Sequence, residues 1–190
     1  MKELSLNILD IVQNSIRAEA DLISIEIKES VTSDQYQITI TDNGNGISKE
    51  FLKNVTDPFV TSRTKRKMGL GLPLLKYHSE ITGGGMEISS EEKKGTKVTA
   101  ILSNGHIDRQ PLGDIAGVII LMIAANPGIN FSYSHRTDNG SFIFSTIETK
   151  EYLETNTLND RNLLNDIGNM INENLKQIEA SGIFTKEKQV

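Results

Sequence analysis

Between residues 4 and 20, apolar side chains recur every three or four positions: Ile8, Val12 and Ile16, with Leu9 and Ile11 beside them. That spacing places them on one face of a helix. The pattern then switches to strict alternation. Ile23, Ile25 and Ile27 in LISIEIKES, and Tyr36, Ile38 and Ile40 in YQITIT, predict two strands with one face toward a core. Ser48 is placed to cap a short helix over KEFLKNV. LPLLKYHSEIT predicts a further helix, with Pro73 in its first turn and Gly83, Gly84 and Gly85 to end it. GMEISS and TKVTAIL predict an antiparallel pair joined by the charged turn EEKKG.

From Asn104 the pattern changes. SNGHIDRQPLGD is rich in turn residues, and the apolar run Ile115 to Ala125 follows. A turn at NPG leads to two strands, Ile129 to His135 and Ser141 to Thr146. A long amphipathic helix comes last, with Leu163, Ile167, Met170, Ile171, Leu175 and Ile178 expected on one face. These patterns divide the chain into residues 1–104 and an appendage, 105–190, expected to dock on the first part.

Composition narrows the function classes. A net charge of −5 gives no basic footprint for nucleic acid, and no nucleic-acid partner is expected. Cysteine is absent, which removes disulfide and thiol chemistry. The N-terminal MKELSLNILD carries charges where a secretion signal needs an apolar run. The apolar run at 115–125 is about half of the roughly 20 residues that a membrane helix needs, so it reads as a buried helix. The expectation is a cytoplasmic protein without a membrane segment.

The tripeptide Asp-Asn-Gly occurs twice. At 138–140 it lies between two alternating strands, where Asn-Gly supplies the positive backbone angles of a tight hairpin. At 42–44 a strand leads in and none leads out; Gly44 and Gly46 open a bend toward a helix. Asp42, at the strand end, could accept a hydrogen bond from an exocyclic amine such as that of adenine. Asn7, Asp10, Asn14 and Arg17 are spaced to share one helix face. Asn and Asp are poor helix formers, so their recurrence suggests coordination rather than simple solvation. A carboxamide oxygen suits Mg²⁺, a carboxylate can act as a base and an arginine can hold phosphate oxygens. Gly69-Leu70-Gly71 opens a helix, a natural phosphate site, behind a basic run that includes Arg63, Lys65, Arg66 and Lys67. Thr96 follows Gly95 at a strand start, its hydroxyl available to a polar network.

The order of these pieces resembles the GHKL ATPase superfamily with the Bergerat nucleotide-binding fold, which includes gyrase B subunits, heat-shock chaperones, histidine kinases and mismatch-repair ATPases. LDIVQNSIRAEADLISIEI resembles the first motif of that superfamily, DNGNGI the second, DPFVTSR through MGLGLPLLK the lid and glycine motif, and GTKVTAIL the last. The segment from GHIDRQPLGD to NPGINFSYSH is similar to that of small stand-alone ATP-binding proteins of anaerobic bacteria. The resemblance implies an α+β fold, a two-layer α/β sandwich with a mixed sheet and helices on one face. It implies ATP and Mg²⁺ as cofactors, with Asn14 on the metal, Asp10 at the catalytic carboxylate position and Arg17 and Lys65 near phosphate. Asp42, supported by Thr96, would read adenine; Gly44 and Gly46 would shape that pocket. Gly69 and Gly71 would face the phosphates, under a mobile lid from Asp57 to Met68. Two departures stand out: Asp10 is one methylene shorter than the Glu of many relatives, and Lys67 replaces an expected glycine.

The first motif begins almost at residue 1, so no upstream phosphoacceptor module is expected. The functional expectation is an ATPase or protein kinase acting in trans on a regulatory protein partner. The alternative is an ATP-gated switch with negligible turnover. Self-association as a homodimer is left open.

Overall fold

The computed structural model describes residues 3–52 and 71–183. In chain order the elements are α1 (Leu4–Arg17), β1 (Leu22–Ser30), β2 (Gln35–Asp42), α2 (Lys49–Leu52), α3 (Gly71–Ile81), β3 (Gly85–Glu91) and β4 (Gly95–Ser103). They continue with α4 (Ile115–Ala125), β5 (Asn130–Thr137), β6 (Gly140–Ser145), α5 (Thr146–Tyr152) and α6 (Arg161–Gln177). The six strands form one sheet in the order β3-β4-β2-β1-β5-β6. All neighbours are antiparallel except β1 and β5, which run parallel from Leu22↔Asn130 to Lys28↔Arg136. The sheet is therefore mixed.

Alternation explains the two layers. Ile23, Ile25 and Ile27 of β1, Tyr36, Ile38 and Ile40 of β2, and Phe131 and Tyr133 of β5 are all buried on one face. The opposite face carries half-exposed or exposed side chains such as Ser24, Glu26, Lys97 and Arg136, as expected where one side of a sheet meets water. Four helices cover the apolar face: α3 packs on β3 and β4, α1 lies beside α3 and against β2, α4 beside α1, and α6 beside α4 and over β6. The apolar helix α4 is thus held between two others, capped by Asp114, which accepts from the Gly117 N–H at 2.8 Å.

Two details differ from the sequence pattern. In α6 the inward stripe is Leu164, Ile167, Ile171 and Leu175; Met170 is 38% exposed, because it falls one position off that stripe. At the β5–β6 hairpin, Thr137 pairs with Gly140, leaving Asp138-Asn139 as the turn, yet neither Asn139 nor Gly140 takes a positive φ. Side-chain bonds hold the turn instead. Thr137 Oγ1 accepts from the Asn139 N–H at 3.0 Å, and Asp138 accepts from the Val31 N–H at 2.8 Å and the Thr32 N–H at 3.2 Å.

A buried polar chain ties the C-terminal segment to the sheet. His135 Nε2 lies 2.8 Å from Glu29 Oε1, and its Nδ1 lies 2.7 Å from the Tyr133 hydroxyl. Ser181 donates both its N–H, at 2.9 Å, and its hydroxyl to Glu29. Burial pushes the Glu29 carboxyl upward, but the hydrogen bonds from His135 and Ser181 outweigh it and hold the group below the usual carboxylate range. Arg109 continues the chain, reaching Ser181 Oγ at 3.3 Å and stacking over the Tyr36 ring.

Candidate nucleotide-binding site

Asp42 is the last residue of β2, paired in register with Ile23 on one side and Thr96 on the other. It is 8% exposed, and its carboxylate accepts three hydrogen bonds: from Ser15 Oγ to Oδ2 at 2.6 Å, from the Gly44 N–H to Oδ1 at 3.0 Å and from the Thr96 N–H to Oδ1 at 3.2 Å. A carboxylate offers about four acceptor positions. Oδ1 is filled and Oδ2 retains one, so a ligand amine approaching Asp42 has one defined place to donate.

The loop after Asp42 is strapped on both sides. Asn45 donates its backbone N–H to the Ala18 carbonyl at 2.6 Å and accepts from the Lys93 N–H at 2.8 Å, while the Ile47 N–H donates to Ser90 Oγ at 2.8 Å. Gly46, at φ +67°, lies so close to the β3–β4 turn that a Cβ there would come within 2.1 Å of the Glu91 carbonyl oxygen. At Gly44 a Cβ would meet the Ala18 carbonyl at 2.6 Å. Gly44 and Gly46 were expected to shape a nucleotide pocket; the close approaches seen at them are to protein backbone and hold the loop against the residue that follows α1 and against the β3–β4 turn. Thr96 supports Asp42 through its N–H, and its hydroxyl pairs with Ser90 Oγ at 2.9 Å.

The helix face divides. Asp10 is half-buried, and Asn14 and Arg17 are exposed, one turn apart. Arg17 Nη1 donates to Asn14 Oδ1 at 3.0 Å, so the carboxamide oxygen proposed for a metal is engaged by a guanidinium. Asn7 leaves the group: it is buried and donates to Gln110 Oε1 at 3.1 Å, because the 110–112 segment crosses the first turn of α1, with Leu4 N–H bonded to the Pro111 carbonyl. Gly71 opens α3 directly beside Asp10; a Cβ on it would be 2.9 Å from the Asp10 Cβ. The N-terminus of α3 therefore lies beside Asp10 on the polar face of α1. Lys65, Gly69 and the expected lid from Asp57 to Met68 lie outside the described residues.

Two of the three histidines are elsewhere, and His78 lies toward the far end of α3. His135 is fully buried with both ring nitrogens engaged. His106 follows the far end of β4, roughly 23 Å along the strand from Thr96 at about 3.3 Å per residue. Ser15, Asn43 and Ser90 were not singled out from sequence. Asn43 accepts from the Asp21 and Leu22 N–H groups at 3.1 and 3.0 Å. The signal for Ser15 was a hydroxyl on the apolar side of α1, next to Asn14; for Ser90 and Asn43 the linear sequence carried none.

A mixed sheet with helices on one face, ending in a buried aspartate beside a glycine loop and a polar helix face, defines an ATPase-type nucleotide-binding α/β sandwich, the Bergerat fold. Residues 2–106 match the family described as histidine kinase-, DNA gyrase B- and HSP90-like ATPase, and the chain belongs to that family. ATP is the ligand that this domain implies. Sporulation kinase D of Bacillus subtilis (strain 168) is 36% identical over 95 residues, covering 50% of this chain and 19% of that kinase. Sensor histidine kinase ZraS of Salmonella typhimurium (strain LT2) is 36% identical over 94 residues, covering 48% of this chain and 20% of ZraS. The matched stretch thus spans about a fifth of the length of these curated relatives. The crystal structure of the N-terminal domain of a DNA repair protein superposes with a TM-score of 0.48 at 19% identity, over 77% of this chain and 53% of that one.

Proposed function

We propose that this chain binds Mg²⁺-ATP in the cytoplasm and passes its terminal phosphoryl group to water or to a regulatory protein partner, in trans. The observation that carries the reading is Asp42: a buried carboxylate with three protein donors and one acceptor position left, suited to the amino group of adenine. The polar face of α1 and the start of α3 are the groups that would receive the phosphates of a nucleotide held there. Mg²⁺ keeps several waters and takes one or two protein oxygens beside phosphate. The exposed Asn14 Oδ1, one turn from Asp10, fits that need, although Arg17 must release it first. Bound there, the ion would offset phosphate charge. Asp10 would orient or deprotonate the attacking hydroxyl or water, and the freed Arg17 would contact phosphate oxygens.

The engagement of Asn14 by Arg17 also favours a second reading, an ATP-gated switch in which release of Arg17 is the event and turnover is negligible. The fate of γ-labelled ATP, incubated with the purified chain and with cell lysate, separates the readings. Label on a protein identifies a kinase and free phosphate an ATPase. Tight binding with neither identifies the switch, and no binding of ATP refutes the assignment of the site.

A further inference from the structure

The sheet ends in two edges, β3 and β6, and they are built differently. β3, GMEISSE, carries Glu87 and Glu91, both exposed, and Glu92 follows. Acidic side chains along an edge discourage a second copy from pairing there. β6, GSFIFS, has no charge and no proline, and its pairing with β5 is continuous from Ser145 to Gly140 without a bulge. It therefore lacks the charges, proline and bulge that commonly protect a free edge.

The register determines which groups the β6 edge offers. Gly140, Phe142 and Phe144 face β5 in the hydrogen-bonded pairs set by the two-residue turn, so Ser141 and Ile143 direct their N–H and C=O groups outward. Among the described residues no strand pairs with that edge. Ile143 is 67% exposed, and the half-buried Phe142 adjoins it.

We propose that β6 is a self-association edge. Two copies of this chain pair antiparallel through Gly140–Ser145 about a twofold axis at Ile143, joining their sheets into one. Centred there, Ile143 exchanges both backbone bonds with its counterpart, and Ser141 faces Ser145 of the other copy, which offers its N–H while its carbonyl accepts from Thr149 Oγ1 at 2.7 Å within its own chain. Charge agrees with this occupant. Antiparallel pairing runs the Arg136 end of one copy, next to Ser141 in register, alongside the Ser145 end of the other, from which α5 with Glu148 continues. Both residues are exposed and neither forms an ion pair within the chain among the described residues. The same operation at β3 would face acidic rows. A six-residue strand pair falls at the small end of specific interfaces, below roughly 1,200 Å² in total, so the dimer is reversible and concentration-dependent.

Sedimentation of the purified chain up to about 0.5 mM, within the range where small interfaces associate, should show dimer. Ile143→Lys, at a solvent-facing position, should lose it, while Glu87→Lys at the other edge should not. Because the chain has no cysteine, Ile143→Cys reports cleanly without a disruptive charge: mild oxidation should give a covalent dimer, and Val31→Cys, equally exposed but off the edge, should not. A wild-type monomer throughout that range, a dimer that survives Ile143→Lys, or a dimer in which Ile143→Cys fails to cross-link would each overturn the proposal.

Discussion

At the scale of single residues, the Asp42 carboxylate has two jobs that separate by mutation. It holds the loop through the Gly44 and Thr96 amides, and it offers one remaining position on Oδ2, beside Ser15. Asp42→Ala should weaken ATP binding by about 1.5–3 kcal/mol, the loss of a hydrogen bond to a charged group, and should lower the melting temperature as well. Ser15→Ala should leave the loop amides satisfied and change adenine affinity with a smaller loss of stability, since it removes one of the three bonds to the carboxylate. Titration calorimetry with ATP and GTP checks both, and equal wild-type affinity for GTP counts against Asp42 as the adenine reader. Asn14 and Asp10 divide along the same helix. Asn14→Ala should weaken Mg²⁺-ATP binding itself, whereas Asp10→Asn should leave binding nearly intact and slow any turnover by roughly 10²–10⁴-fold. Much of this site was legible in sequence because its residues are polar where helices and strands seldom keep them: Asp10, Asn14 and Asp42 each break a local preference. Ser90 and Asn43 were not, since a serine near a strand end and an asparagine after one are ordinary until the fold places Ser90 under the Ile47 amide. Asn7 shows the opposite error, a residue with the right spacing whose side chain is claimed by Gln110, a hundred positions away.

At the scale of elements, α1 and α3 meet with no room at Gly71, where a Cβ would lie 2.9 Å from that of Asp10. Gly71→Val should therefore push the helices apart, at a cost of about 1–3 kcal/mol, and should weaken ATP binding; thermal melting and nucleotide titration report the two effects separately. The link between β1, β5 and the end of α6 is electrostatic. Glu29 is held below its ordinary value of 4.5, so its contribution to stability is present above that pH and is lost as pH falls through the folded-state value. Glu29→Gln should lower stability at pH 7 by about 1–3 kcal/mol and should flatten the acid limb of the stability curve below about pH 4.5. A melting temperature that falls as steeply in the variant as in the wild type would remove this assignment. The elements themselves were legible wherever periodicity was long: α1, β1, β2 and the apolar α4 follow their patterns closely. The short helix α5, Thr146–Tyr152, went unpredicted beyond the expected strand end at Thr146, because a seven-residue helix capped by Ser145 has too few turns to show a period.

For the whole molecule, the pairing of β1 with β5 decides how far the halves of the chain are independent. The sequence pattern places a boundary near residue 104, yet β5 and β6 complete the same sheet that carries Asp42, and α4 and α6 extend the same helix layer. No change in local periodicity could reveal this, since a parallel neighbour a hundred residues away leaves no mark on the strand that receives it. Residues 1–104 expressed alone should remain soluble poorly and bind ATP weakly, because β1 would present its apolar face and an unpaired edge to water. Cooperative melting of that fragment, with the ATP affinity of the full chain, would show the halves to be separable. The parallel pair also imposes an order in time. On the ribosome, β1 and β2 emerge early, but the partner that closes the other side of β1 arrives only after residue 137 is made, some 110 positions later. Contacts so distant along the chain are slow to form. Once β4 has paired, and until β5 is made, the nascent protein carries the Asp42 site on an open sheet, a state in which chaperones, or early nucleotide, have the most to act on.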